Sequence, residues 1–289
     1  MTDYLKTPLD SLLETIDFTK IYDELYKIPG AVTSGELWAE THELILLALE
    51  TWLARDVQEF TNVKIETPYN EGKIIIDLEA DCRGTIAPFK KYNNCKILLD
   101  WKTTQSPVDT DSWKNKCVMS WQWKKYAETR PATLFIYRGI SRSVYEPRKS
   151  KDETRNHDRT REVIIEIPQN IAPAVQNQFG SVKAQMDALQ PFVIWPQNTD
   201  SCWDFSVRCP EYDGCMSYGN PPKTLEYNKP LSYSSMQLFL RCPEKFRMRE
   251  LRRSGAVELE DDPNDTDATV VGTMFHAAMA EIYRQIFGI

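Results

Sequence analysis

The stretch from 95 to 138 constrains the fold most. An apolar strand, CKILLDWK (95–102), is followed by a helical segment, DSWKNKCVMSWQWKKYAE (111–128), and a second apolar strand, ATLFIYR (132–138). Short apolar runs of this length, bounded by turn signals, read as buried strands. Before them stand NVKIET (62–67) and KIIIDLEAD (73–81), joined by the turn-like YNEG (69–72) and antiparallel in appearance; after them stands REVIIEIP (161–168). Helical patterns flank the strands at 8–28, 34–56 and 171–190. In the second of these, Leu37, Leu44, Leu47 and Trp52 recur near a 3.6-residue period, and its middle is apolar nearly all round, so burial is expected. The polar, basic loop 139–160 is expected to be mobile. The order predicts an α/β domain on a small mixed sheet flanked by helices.

At 289 residues the chain can form one large domain or two smaller ones. Its start, MTDYLKTPLDS, has no basic region ahead of an apolar run, so it does not read as a signal peptide. The longest apolar run, LILLAL (44–49), is too short for a membrane span, and the cytoplasm is the expected compartment. Without a secretion signal, the seven cysteines are expected to be reduced or metal-bound. A net charge of −7 argues against indiscriminate coating of nucleic acid. Residues 83–130 depart from that average, with ten Lys/Arg against four acids, enough for a local face to meet phosphates.

The 95–102 strand ends on Asp100 and Lys102. Positions i and i+2 share a strand face, so these two project together and Trp101 points the other way. Asp81 closes the preceding strand and would join them if the two strands are neighbours. Two carboxylates on adjacent strand ends suit a hard divalent cation, Mg²⁺ or Mn²⁺. Such a cation can bind a scissile phosphate and lower the pKa of a water, while a lysine offsets charge in the transition state. Gln122 and Tyr126 are one turn apart on the following helix and share a face.

Asp81, then LLDWKTT, then QWKKY, resembles the PD-(D/E)XK nuclease superfamily, and within it the RecB-like branch of helicase-linked, CRISPR-associated and phage nucleases. The resemblance spans roughly 30–215. It implies a restriction-endonuclease-like fold, Asp81 and Asp100 as metal ligands with the Trp101 carbonyl as a further one, Lys102 as the catalytic lysine, and Gln122 and Tyr126 as the family's helix motif. It also implies a metal-binding histidine on an upstream helix, a slot that His42 fits, although Gly35 stands seven positions before it. Asp77 is the main rival to Asp81.

Some members of that branch hold a [4Fe–4S] cluster. Cys209 and Cys215 lie at comparable spacing, the Cys202–Cys209 interval is longer than usual, and Cys242 is a candidate fourth ligand if the tail folds back. The tail carries an echo: LSYSSMQLFLRCPEKF (231–246) resembles the segment that opens such a nuclease, and GTMFH (272–276) the glycine-histidine helix that follows. Three readings stay open. The chain is permuted, with Cys242 and His276 folding back; or a second module begins here and is cut short at Ile289, which is preferred; or the tail is an interaction segment. An acidic linker is expected at 258–267. The domain expectation is a nuclease core at 1–190, a Cys-rich loop module at 191–230 and a helical tail at 231–289.

The functional expectation is a metal-dependent nuclease acting on single- or double-stranded DNA. An exonuclease or single-strand-preferring enzyme of recombination, repair or phage DNA processing, with a helicase or recombination partner, fits the resemblance. The rivals are a catalytically inactive nucleic-acid-binding or assembly subunit of the same fold, and an unrelated domain with a fortuitous D-x-K.

Overall fold

The computed structural model describes residues 8–26, 35–65, 77–142, 158–192, 195–198, 203–204, 207–209, 224–228, 231–254 and 267–289. The YNEG turn, most of the loop 139–160 and nearly all of the acidic linker lie outside those residues.

The chain opens with helices α1 (Pro8–Leu13), α2 (Phe18–Leu25) and α3 (Gly35–Ala48), the last passing through a π turn (Leu49–Leu53) into α4 (Ala54–Glu59). Strands β1 (Phe60–Ile65), β2 (Leu78–Cys82), β3 (Cys95–Thr104), β4 (Leu134–Ser141) and β5 (Thr160–Glu166) form one sheet in that spatial order. β3 and β4 run parallel, and the other neighbours run antiparallel. A parallel pair needs a crossover, which α5 (Asp111–Met119) and α6 (Trp121–Thr129) supply.

The expected single helix over 111–128 is therefore two. Ser120 has an extended ψ of 136°, and its hydroxyl accepts from Gln122 N–H at 3.1 Å, so it ends one helix and caps the next. Thr110 caps α5 by accepting from Trp113 N–H at 3.2 Å.

Every residue of β4 is buried, as a central strand covered on both faces demands. On one face Ile97, Leu99 and Trp101 of β3 pack with Ile136 and Ile140 of β4 and with apolar residues of α3 and of α10 (Asp267–Phe287). The other face carries Asp100 and Lys102 toward α5 and α6. There α5 approaches closely at Gly139, where an added Cβ would fall 2.2 Å from the Trp113 ring.

The chain forms two compact units. One comprises residues 1–169 with 263–289, so α10 belongs with the sheet. The other comprises residues 170–262, so residues 170–190 belong to this unit rather than to the sheet. This second unit holds α7 (Ile171–Leu189), the two-stranded β6 (Trp203–Asp204) and β7 (Val207–Arg208), α8 (Tyr233–Arg241) and α9 (Pro243–Arg253). The break between α8 and α9 falls where Pro243 lacks the N–H that a continuous helix needs. Trp195, Phe239 and Phe246 form its aromatic centre, beside a buried Arg247–Glu244 pair. Among the described residues, no helix is long and apolar enough to cross a membrane.

Candidate active site

The register of β2 on β3 decides which acid meets Asp100. Leu78 lies opposite Leu99, and Asp81 lies opposite Lys96. Because the strands are antiparallel, the start of β2 stands beside the end of β3. Asp77, the residue before β2, is thus level with Asp100. Asp81 is four residues further on, about 13 Å along the strand at ~3.3 Å per residue. It accepts from Asn62 Nδ2 at 2.7 Å. The expected cluster of Asp81 with Asp100 is corrected on this ground: the two strands are neighbours, but their antiparallel sense separates these two residues.

Asp77 is held from two sides. Its Oδ2 accepts the Trp101 N–H at 2.6 Å, and its Oδ1 lies 2.9 Å from His276 Nδ1. His276 sits on α10, which approaches β3 closely at Gly272, one turn earlier on the same face; a Cβ there would stand 3.2 Å from Thr103 Oγ1. His42 lies elsewhere in the packing. Its Nδ1 is 3.0 Å from the Tyr22 hydroxyl, and its ring packs on Phe18 and Tyr22. The imidazole beside the acids is His276, because α10 reaches the start of β2 and α3 gives His42 to the α2 interface.

Asp100 is 4% exposed. Lys102 Nζ lies 2.7 Å from Asp100 Oδ2 as an ion pair. That oxygen is shut off from solvent, with the Lys102 ammonium as its partner. Burial, reinforced by the Asp77 charge and only partly offset by Lys102, raises the Asp100 carboxyl above the usual range. Burial would raise Asp77 too, but the His276 charge and the hydrogen bonds from His276 and Trp101 hold it below. Desolvation opposes charge on Lys102 and on His276; the neighbouring carboxylates outweigh it and raise both.

The α5–α6 layer roofs this face. The Cys117 thiol feels both Asp100 and Lys102, and burial pushes it up to about 12, which removes it as a thiolate nucleophile at neutral pH. Gln122 Nε2 donates to the Tyr126 hydroxyl at 2.9 Å, and the Tyr126 ring stacks on Phe135 with 5.8 Å between centroids. Burial and the Asp100 charge push the Tyr126 phenol up, so it stays a neutral donor. Tyr137, level with Asp100 on β4, is raised in the same way. The structure thus brings Asp100, Lys102, Gln122 and Tyr126 to one region and adds Asp77, His276, Cys117 and Tyr137. The last two carried no sequence signal beyond their strand and helix positions.

The donor set fits a hard divalent cation. Two carboxylates lie level on adjacent strands, and the Trp101 carbonyl is next to them on β3. Among the described residues, no three His, Cys, Asp or Glu side chains form a metal cage. A Mg²⁺ site does not need one, since this ion keeps several waters and takes one or two carboxylates. The proposed iron–sulfur ligands offer less. Cys209 is half-buried and Cys242 buried, both as free thiols, while Cys202 and Cys215 lie outside the described residues.

Residues 230–287 match the model of the PD-(D/E)XK nuclease superfamily. The matched segment covers α8, α9 and all of α10, and so includes His276 but not the strands carrying Asp77, Asp100 and Lys102. That segment is similar to part of a nuclease domain, and the five-stranded mixed sheet flanked by helices is consistent with a restriction-endonuclease-like fold. No curated protein and no solved structure gives a significant match.

Proposed function

We propose that this protein is a divalent-metal-dependent nuclease that hydrolyses DNA phosphodiester bonds at the joined ends of β2 and β3. The observation that carries the reading is the level pairing of Asp77 with Asp100, with Lys102 ion-paired to Asp100. Asp77, Asp100 and the Trp101 carbonyl would hold Mg²⁺ or Mn²⁺. Bound there, the cation supplies Lewis acidity and a water of lowered pKa.

The chain's own groups have separable parts. Lys102, kept as an ammonium by the carboxylates, offsets negative charge that grows on the phosphate oxygens. His276 and the Trp101 N–H fix the orientation of the Asp77 carboxylate. Gln122 and Tyr126 present neutral donors from α6 to the strand being cut. Helix α10 completes the site from the far end of the sequence, which supports the permuted reading of the tail over a cut-short second module. A RecB-like, end-directed or single-strand-preferring activity in recombination, repair or phage DNA processing, and a helicase partner, rest on the sequence resemblance alone. So does a cluster on Cys202, Cys209, Cys215 and Cys242.

The test is cleavage of labelled single- and double-stranded DNA with Mg²⁺ or Mn²⁺, against Lys102→Ala and Asp100→Asn. Metal-dependent cleavage lost in both variants supports the enzyme. Binding without cleavage by the wild-type chain supports instead a non-catalytic subunit of the same fold.

A further inference from the structure

Helices α5 and α6 meet at a corner whose two faces have opposite character. The inner face is pinned: Trp113 lies against Gly139, and the Cys117 thiol is within electrostatic reach of Asp100 and Lys102. The next two residues turn outward. Val118 is 39% exposed and Met119 is 71% exposed, the largest exposure among the large hydrophobic residues described. Ser120 then breaks the chain direction and caps α6, which carries Gln122 and Tyr126 back to the site. The neighbouring Trp121 ring is already covered by Lys124 Nζ at 4.2 Å, so the uncovered apolar surface at the corner is that of Val118 and Met119. Exposed Lys114 and Lys116 stand one turn away, and the two helices carry four lysines against Asp111 and Glu128.

We propose that this corner is the contact surface for an unpaired stretch of a nucleic-acid strand entering the site, with Val118 and Met119 against base faces and Lys114 and Lys116 on phosphates. The inference rests on the nuclease reading and adds the surface along which an unpaired strand reaches the site. Bases stacked in a duplex hide their apolar faces, whereas unpaired ones offer them beside a row of phosphates. That pattern, apolar patch with adjacent ammonium groups, is complementary to the corner. Two side chains are too small a patch for a stable protein interface, which buries about 800 Å² per partner. Continuity supplies the direction: the same helix that exposes Met119 lays Cys117 over the acids, so a strand on the corner is one helical turn from them.

The test uses the full chain with Asp100→Asn, which leaves the strand intact during binding. Anisotropy is measured with a labelled oligothymidylate of about 20 nucleotides and a blunt duplex of equal length. Met119→Asp is expected to weaken single-strand binding about tenfold, the scale of one lost base contact, and duplex binding less, while Met119→Leu changes neither by more than about twofold. Thermal melting checks that each variant folds. Unchanged single-strand binding by Met119→Asp overturns the proposal while leaving the nuclease reading intact if the wild-type chain still cuts. Equal losses on strand and duplex overturn the unpaired preference. A change in sedimentation without a change in DNA binding makes the corner a protein interface, and also overturns it. A parent that neither binds nor, as wild type, cuts DNA removes both readings together.

Discussion

Two buried charge clusters lie on opposite faces of β3 and β4, and they are satisfied to different degrees. Beneath α4 and α10, Arg138 is fully buried. Its Nη2 donates to Asp56 Oδ1 at 2.6 Å and its Nε to Glu162 at 2.9 Å, while Nη1 reaches Asp56 and the Tyr283 hydroxyl. The rings of Trp52 and Trp101 lie 5.1 Å from the guanidinium carbon. Every guanidinium nitrogen is used. Beneath α5, Asp100 and Lys102 make one ion pair, and a second carboxylate stands level with the first. A closed network of this kind holds a fold together, and removing one member leaves a buried charge unpaired. An open one, with two acids side by side, costs stability unless a cation joins them, which is the arrangement expected of a working site.

The comparison can be broken by mutation. The largest expected effect is on turnover. Lys102→Ala or Asp100→Asn lowers metal-dependent cleavage by on the order of 10²–10³-fold, the cost of one lost electrostatic contact to the transition state. Urea unfolding of Asp100→Asn should show stability held or raised, because burial and the Asp77 charge disfavour the Asp100 carboxylate in the folded chain. Arg138→Met reverses the pattern: unfolding free energy falls by about 3–5 kcal/mol because Asp56 and Glu162 lose the guanidinium between them, while cleavage per folded molecule is kept. A stability loss at Asp100 as large as at Arg138 would remove the distinction.

The histidines sharpen it. His276→Ala should raise the Mg²⁺ concentration for half-maximal cleavage by about 10–100-fold, as expected when a group orienting a ligand is removed. His42→Ala should leave that concentration unchanged.

The smallest effect belongs to a neighbour of the closed cluster. Glu59, one turn after Asp56, accepts the Thr85 N–H at 2.9 Å together with the Thr85 hydroxyl and the Ile86 N–H. Burial alone would raise its carboxyl; these hydrogen bonds outweigh it and hold the group below its ordinary value of 4.5. Its stabilisation is therefore full above that value and is lost as pH falls through the lower, folded one. Glu59→Gln should cost about 1–3 kcal/mol at pH 7 in urea unfolding, and the gap from wild type should close in acid.

Much of this was legible in the sequence. The strand ending in Asp100 and Lys102, the opposite facing of Trp101, and the Gln122–Tyr126 helix face follow from periods of 2 and 3.6. Asp77 and Asp81 share a strand face, so periodicity could not choose between them; pairing sense could. Two strands joined by a short connection run antiparallel, which sets the first residue of one beside the last of the next. The return of His276 to the start of β2 depends on packing between residues 199 apart in sequence, and no local pattern carries that. The helix break at Ser120 did leave a trace, a serine ahead of WQWKKY that reads as a cap.

The central claim is that the site lies at the Asp77 end of β2. Asp77→Asn and Asp81→Asn, assayed side by side for Mg²⁺-dependent DNA cleavage, test it most directly. The account predicts a fall on the order of 10²–10³-fold for Asp77→Asn and a rate within about twofold of wild type for Asp81→Asn. Loss of cleavage in Asp81→Asn with activity kept in Asp77→Asn would contradict it.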